Sequence, residues 1–387
     1  MPKTNTDDKP RCPHFGKCGG CNTQHIPYEV QVENKKKFLT SMIILSDISE
    51  DDIKIFPSQP YNYRNRMDLI FTKIGLGFRV RGKWQQTVNI DECHIAKPKI
   101  NQIAEEIKSF FKNCECFNLV NKEGTYRYAV IRTPENTSSI SFVLNSDSFH
   151  IGDAIEKIKE FAKKTDVPNI LVTYVHSRTD TSISDDFFVV KGSDMLKGTY
   201  LGKTFHYHVQ GFFQNNSELA EQMHEYVNNL LKENQEKYKD YTLWDLYAGV
   251  GTFGIINADL FKNVLIVESF PQCIDAAKLN LEENKITNAE TQVLDARYIS
   301  RLDAPEKLII LTDPPRSGMH PKTVEHLNKL NPELLIYVSC NMKQLARDLP
   351  KFKNHKIKSL AIFDFFPQTP HCEVVVELIR KEIIEDH

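Results

Sequence analysis

From Tyr241 almost to its end the chain repeats one unit, in which an apolar run stops at an acid or a thiol and gives way to a helix-like stretch. Trp244-Asp245-Leu246-Tyr247-Ala248 runs into Gly249-Val250-Gly251-Thr252-Phe253-Gly254, and Asn263–Val267 ends in Glu268. A third run stops at Leu294-Asp295, and a fourth, Leu308–Thr312, at Asp313-Pro314-Pro315-Arg316. The helical pattern Pro321–Leu330 leads into Leu335–Ser339 and Cys340, with the helix-like segment Asn341–Leu349 directly behind. Near-continuous apolar strands separated by helices build a mostly parallel sheet covered on both faces. Such open α/β sheets bind ligands at the carboxyl edge of their strands, the address to which Cys340 is delivered. A thiol there is either packing or a nucleophile, since a free cysteine by itself behaves as a small buried hydrophobe.

The glycine run lies between a strand and a helix. Glycines there let the backbone approach a ligand and aim helix N–H groups at it. Glu268, at the end of the next strand, is placed to accept hydrogen bonds from ribose hydroxyls. A GxGxxG turn alone does not choose between a nicotinamide dehydrogenase, an S-adenosylmethionine methyltransferase and a merely tight turn. Two features favour the methyl donor: Asp245 stands four residues before a glycine motif that comes late in the chain, and a later strand ends in Asp-Pro-Pro-Arg. The latter is similar to the (D/N)PP(Y/R) motif of class I methyltransferases that act on bases. A dehydrogenase would need a further acid–base set that the sequence does not offer.

The opening segment carries different chemistry. Nine cysteines are unevenly spread, and the N-terminus has no apolar signal region, so metal binding or catalysis is expected over disulfides, in a cytoplasmic protein. No apolar run approaches the roughly 20 residues needed to span a bilayer, so no membrane partner is expected. Cys12, Cys18 and Cys21 stand in C-P-H-F-G-K-C-G-G-C, where glycines let the backbone curl until several sulfurs face one point. Spacings of five and two residues suit an iron–sulfur cluster whose fourth ligand comes from afar, with Cys93 the candidate. Zinc stays open as the alternative, with His14 or His94 available. Cys114 and Cys116 fall in a polar stretch without an assigned role, and Cys273 and Cys372 read as structural.

Tyr28–Met42 reads as a helix with a basic patch at Lys35-Lys36-Lys37. Between Tyr61 and Trp84 six Lys/Arg and one acid alternate with aromatic residues on hairpin-like strands about a Gly75-Leu76-Gly77 turn. The net charge of −2 gives no global nucleic-acid signature, so RNA contact must come from such a local surface. A solvated sheet face is the bland reading of the same strands. Helical stretches (Lys97–Lys112, Ile151–Lys164) alternate with strands (Tyr126–Thr133, Ser139–Leu144, Asn169–Val175, Asp186–Val190) in an α+β pattern. Asn216 or Ser217 caps an amphipathic helix that opens the last domain. The expected domains are 1–95, 96–204 and 205–387.

Taken together, the cysteine cluster, Phe212-Phe213-Gln214, Asp245-Leu-Tyr-Ala-Gly-Val-Gly251, Asp313-Pro-Pro-Arg316, Ser339-Cys340-Asn341 and His371-Cys372-Glu373 resemble the iron–sulfur RNA uracil-5-methyltransferases, whose motifs occur in this order. The resemblance covers residues 12–93 and 205–379. It implies a C-terminal class I methyltransferase domain with a Rossmann-like, mostly parallel seven-stranded sheet, behind an N-terminal iron–sulfur and α+β RNA-binding region. It also implies a [4Fe–4S] cluster on Cys12, Cys18, Cys21 and Cys93, and S-adenosylmethionine contacts at Gln214, Tyr247, Glu268 and Asp313, with Asp295 near the adenine. Ala248 replaces a cysteine common in the family, and Thr252 stands where some relatives carry Asn. Many members begin with a small β-barrel; with eleven residues before Cys12, its absence is expected here.

The implied chemistry accounts for the residue types. Carbon 5 of uracil is a poor nucleophile, so a thiolate first adds to carbon 6. Cys340, beside a helix N-terminus, is expected to have a lowered pKa. Glu373 is then placed to remove the carbon-5 proton, and the target base must leave its stack to reach the pocket. The expected partner is rRNA or tRNA, bound by a monomer. Two alternatives remain: a base N-methyltransferase, which has no need of Cys340, and a noncatalytic iron–sulfur RNA-binding protein.

Overall fold

The computed structural model describes residues 9–43 and 48–381. After the short strand β1 (Lys54–Phe56), seven strands form a mixed sheet: β2 (Arg66–Thr72), β3 (Gly75–Val80), β4 (Lys83–Asn89), β5 (Tyr126–Arg132), β6 (Ser139–Asn145), β7 (Asn169–Val175) and β8 (Phe187–Lys191). Their order is β4-β3-β2-β5-β6-β7-β8, with only β6–β7 parallel. Helices Pro98–Phe110 and Ile151–Lys164 bury Ile100, Ile103, Ile107, Ile158 and Phe161 in one core with this sheet. Because β2 pairs with β5 (Asp68 opposite Val130), the expected division at 95/96 runs through a continuous sheet. Gly75 and Gly77 are not the turn but the start of β3. A side chain on Gly77 would meet the Val88 carbonyl of the adjacent strand at 2.0 Å, so the glycine permits close strand approach.

A hairpin of β9 (Met195–Tyr200) and β10 (Lys203–His208) follows. Leu196, Tyr200 and Phe205 lie in one core with Met223 and Phe253, so the hairpin packs with the C-terminal half, across the expected 204/205 division. The last sheet contains β11 (Thr242–Leu246), β12 (Asn263–Glu268), β13 (Ala289–Val293), β14 (Leu308–Thr312), β15 (Leu334–Ser339), β16 (His355–Phe363) and β17 (Glu373–Arg380). Its order, β13-β12-β11-β14-β15-β17-β16, is parallel except for β17, which runs against both neighbours. The expected seven-stranded Rossmann-like sheet is therefore present. An eighth strand comes from outside the domain: β1 adds in parallel to β16, with Phe56 stacked on Phe363 at 4.4 Å between ring centroids. Three residues are too few for periodicity to show, and only packing reveals that strand. No helix among the described residues is long and apolar enough to cross a membrane.

Candidate active site

Sheet register, not local sequence, brings the reactive groups together. β15 and β17 are antiparallel with Ser339 opposite Val374, so one further step puts Cys340 opposite Glu373. Residues facing each other this way have their Cβ atoms about 4.5–5.5 Å apart. β14 lies on the other side of β15 in parallel register, Thr312 beside Tyr337, which brings Asp313 to the same edge. The three loops are tied to one another. Asn341 caps helix Met342–Asp348 through its Oδ1 and donates its amide N–H to the Arg316 carbonyl at 2.9 Å. The Arg316 guanidinium lies 3.3 Å from both ring nitrogens of His371.

Electrostatics at this edge run against expectation for the thiol. Burial, then the charges of Glu373 and Asp313, push Cys340 up to about 12, with Arg316 opposing. The expected lowering of Cys340 by the helix behind it is outweighed by burial and the two carboxyl charges. Burial and the Asp313 charge also hold Glu373 well above the usual carboxylate range. Its side chain is 5 % exposed, and Oε2 has no hydrogen-bond partner among the described residues. Asp313 is pushed up to about 7 by burial. Cys340, Glu373 and Asp313 thus all hold their protons more tightly than their free side chains do.

The other half of the candidate site is shaped around Glu268 and the glycine turn. Glu268 accepts the Gly249 N–H at 3.1 Å on one oxygen and the Ser269 and Phe270 N–H groups, at 2.6 and 3.0 Å, on the other. Gly249 (φ +55°) and Gly251 (φ +83°) take left-handed backbone that other side chains resist. Tyr247 does the same at φ +58°, a strain that persists only where the surroundings enforce it. Its hydroxyl lies 3.4 Å from Thr323 Oγ1. Asp245 is fully buried; its Oδ2 accepts the Gly254 N–H at 2.8 Å, which fixes the turn, and burial pushes its carboxyl up to about 8. Asp295 caps the following 3₁₀ turn and pairs with Arg297 at 2.7 Å. Gln214 is half-buried between β10 and helix Ser217–Lys232, and its carbonyl accepts from the Asn65 amide at 3.0 Å. Asn216, not Ser217, is that helix's cap.

Cys12, Cys18, Cys21 and Cys93 all line one cavity of about 490 Å³, together with Phe15, Met67, Phe78 and Ile90. Backbone N–H groups are aimed at the sulfurs: Gly20 at Cys18 (3.4 Å), and Ile95 and Ala96 at Cys93. Burial pushes Cys18 upward, Cys21 to about 11 and Cys93 to about 12; the charges of neighbouring thiols in the set add to it. His14 accepts the Asp91 N–H at 3.4 Å, and His94 lies 3.4 Å from Glu92, so both candidate histidines face acid-bearing segments. Among the described residues no three His, Cys, Asp or Glu side chains meet in the geometry that holds a single metal ion. The four expected ligands thus line one cavity, but they do not form a metal-holding group among the described residues.

Sequence reasoning missed how the edge that carries Cys340 and Glu373 is held. The loop Asp364–Thr369 before Glu373 is clamped from the N-terminal segment. Lys35 pairs with Asp364 at 2.5 Å, with side-chain exposures of 5 % and 1 %. Gln31 donates to Gln368 Oε1 (2.9 Å), and the Gln368 carbonyl accepts from Asn22 and Thr23, directly after Cys21. Tyr63 donates to the Pro367 carbonyl, and Asn216 to that of Phe365. Lys35 therefore does not belong to a surface patch with Lys36 and Lys37. The available signal was helical spacing: Gln31, Lys35 and Leu39 recur at four-residue intervals along one buried stripe.

The tRNA (Uracil-5-)-methyltransferase family profile matches residues 27–381. The tRNA (uracil(54)-C(5))-methyltransferase of Pyrococcus abyssi is 33% identical over 96% of this chain and 86% of its own. An uncharacterized RNA methyltransferase of Clostridium tetani is 31% identical over 97% and 84%. The crystal structure of the Pyrococcus abyssi enzyme with S-adenosyl-L-homocysteine superposes with a TM-score of 0.75 at 30% identity, covering 94% of this chain and 86% of that one.

Proposed function

The chain belongs to the tRNA (Uracil-5-)-methyltransferase family, and is thus an S-adenosylmethionine-dependent RNA uracil-5-methyltransferase; on that premise we propose that Cys340 is its nucleophile, Glu373 its base and uridine 54 of tRNA its target. The observation that carries the chemistry is the register that sets Cys340 against Glu373 beside Asp313. S-adenosylmethionine supplies the electrophilic methyl group. Cys340 gives up its proton to the carboxylate cluster as Sγ adds to carbon 6, and the electron pair of the 5,6 double bond becomes an enolate. Carbon 5 takes the methyl as its bond to the donor sulfur breaks, leaving S-adenosylhomocysteine. Glu373, whose raised proton affinity makes its carboxylate a stronger base, then removes the carbon-5 proton; the double bond re-forms and Sγ departs. Glu268 and the Gly249–Gly251 turn hold the nucleoside end of the donor, joined by Gln214, Tyr247, Asp295 and Asp313.

The tRNA assignment is supported by the extent of similarity to the Pyrococcus abyssi enzyme, whose name specifies uracil 54. Trp84, 63 % exposed on edge strand β4 directly after exposed Arg81 and Lys83, offers a stacking and phosphate-binding surface. The four-cysteine cavity fits an iron–sulfur cluster: the sulfurs already receive N–H bonds, their protons are removed by bound cations, and a cluster spreads its ligands wider than one ion does. We read the chain as a cytoplasmic monomer. Incubating unmodified tRNA with labelled donor and mapping the product should give 5-methyluridine at position 54, and a transcript with cytidine there should take up none. Methyl transfer by Cys340→Ala at the wild-type rate would end the covalent reading, and labelling confined to rRNA would end the tRNA reading.

A further inference from the structure

Cys114 and Cys116 belong to neither site. They lie after helix Pro98–Phe110, both half-buried, both free, with their sulfurs 3.6 Å apart. The stretch that carries them is built rather than loose. The Glu115 carbonyl accepts from the Thr125 and Tyr126 N–H groups at 2.9 and 3.0 Å, and the Thr125 hydroxyl donates to the Glu115 carboxylate at 2.6 Å. The Phe117 N–H donates to the Tyr126 carbonyl at 2.8 Å, and a Cβ on Gly124 would meet the Cys116 carbonyl at 2.3 Å. The two thiols pack on the aromatic core that contains Phe71, Phe111 and Tyr126.

We propose that Cys114 and Cys116 form a site of reversible thiol–disulfide exchange whose reaction partner is a low-molecular-weight disulfide such as oxidised glutathione. The geometry sets the roles: the Cys116 thiol donates to the Cys114 carbonyl at 3.4 Å, which holds its proton in place, while Cys114 feels the Lys157 charge, which favours its thiolate. Cys114 is therefore the attacking thiolate. Its sulfur bonds to one sulfur of the partner disulfide, and that S–S bond breaks, releasing one thiolate. Cys116 loses its proton to solvent and attacks Cys114 Sγ, and the second thiolate leaves. Two protein thiols are oxidised and one disulfide is reduced to two thiols. The sulfurs must close from 3.6 Å to about 2.05 Å, a side-chain movement.

The sequence provides a clean readout, because Lys112 and Lys122 flank a tryptic peptide, Asn113–Lys122, that holds these two cysteines and no others. The full-length protein is equilibrated in glutathione buffers of graded ratio, acid-quenched, alkylated and digested. The expected result is replacement of the doubly alkylated peptide by one that carries no alkyl group and is two hydrogens lighter than the free dithiol peptide, reversed by reduced glutathione. Cys116→Ser should retain one glutathione on the peptide, and Cys114→Ser should react at least about tenfold more slowly, because its remaining thiol is the poorer nucleophile. A wild-type peptide that stays doubly alkylated at every ratio, or that keeps glutathione without closing, overturns the proposal. Equal rates for the two variants overturn the division of roles.

Discussion

The four-cysteine set and the single Cys340, all half-buried, meet the same physical problem and are given different solutions. At the four-cysteine cavity the neighbours of each sulfur are other sulfurs, so ionising one discourages the next, and only a cation can hold them all as thiolates. At the sheet edge Cys340 is alone among carboxyl groups, where ionisation is opposed by Glu373 and Asp313 and assisted by Arg316. There the way forward is to pass the proton on while a bond to carbon forms. A thiol's role is set by what stands next to it, since burial pushes up Cys340 as it does Cys18, Cys21 and Cys93.

The contrast breaks most visibly at the base. Glu373→Gln should lower turnover by about 10²- to 10⁴-fold yet leave Cys340 able to add to RNA, so a protein–RNA band should persist on a denaturing gel. If that variant shows neither turnover nor band, Glu373 acts before the adduct and not after it. At the cavity, Cys93→Ser should lose most of the iron and visible absorption that the proposed cluster gives the protein, while S-adenosylmethionine still binds by calorimetry; full iron content would remove Cys93 from the ligand set.

The clamp joins the two regions. Lys35→Met leaves Asp364 buried without its partner and should cost about 3–5 kcal/mol in urea unfolding, with Lys35→Met/Asp364→Asn recovering part of the loss. An unchanged midpoint would mean that the N-terminal helix does not secure the catalytic loop. The smallest expected effect is at Asp245. Its folded value, about 8, lies above the unfolded value near 3.9, so the stability it contributes is complete below the unfolded value and declines as pH rises towards 8. Asp245→Asn should flatten the fall of melting temperature between about pH 5 and 8; an unaltered slope would place the titration elsewhere.

Much of this was written along the chain. Apolar runs and glycine turns after Tyr241 specify a parallel sheet because burial on both faces leaves a strand no other composition, and the runs end where the acids and Cys340 stand. The cysteine spacing likewise gathers Cys12, Cys18 and Cys21, since short loops keep their sulfurs close. What the sequence could not convey were distances across it. Which residue opposes Cys340 depends on β17 inserting antiparallel between β15 and β16. The raised state of that thiol depends on burial that strand periodicity does not measure and on the Glu373 and Asp313 charges, which outweigh the lowering expected from the helix behind it. β1, Lys35 and Gln31 acquire their meaning only from Phe363, Asp364 and Gln368, more than 300 residues away. Local sequence determined which groups reach the sheet edge, because strand and turn preferences act over a few residues. Tertiary packing decided which of them face each other and in what state of protonation, because desolvation and charge act between neighbours in space.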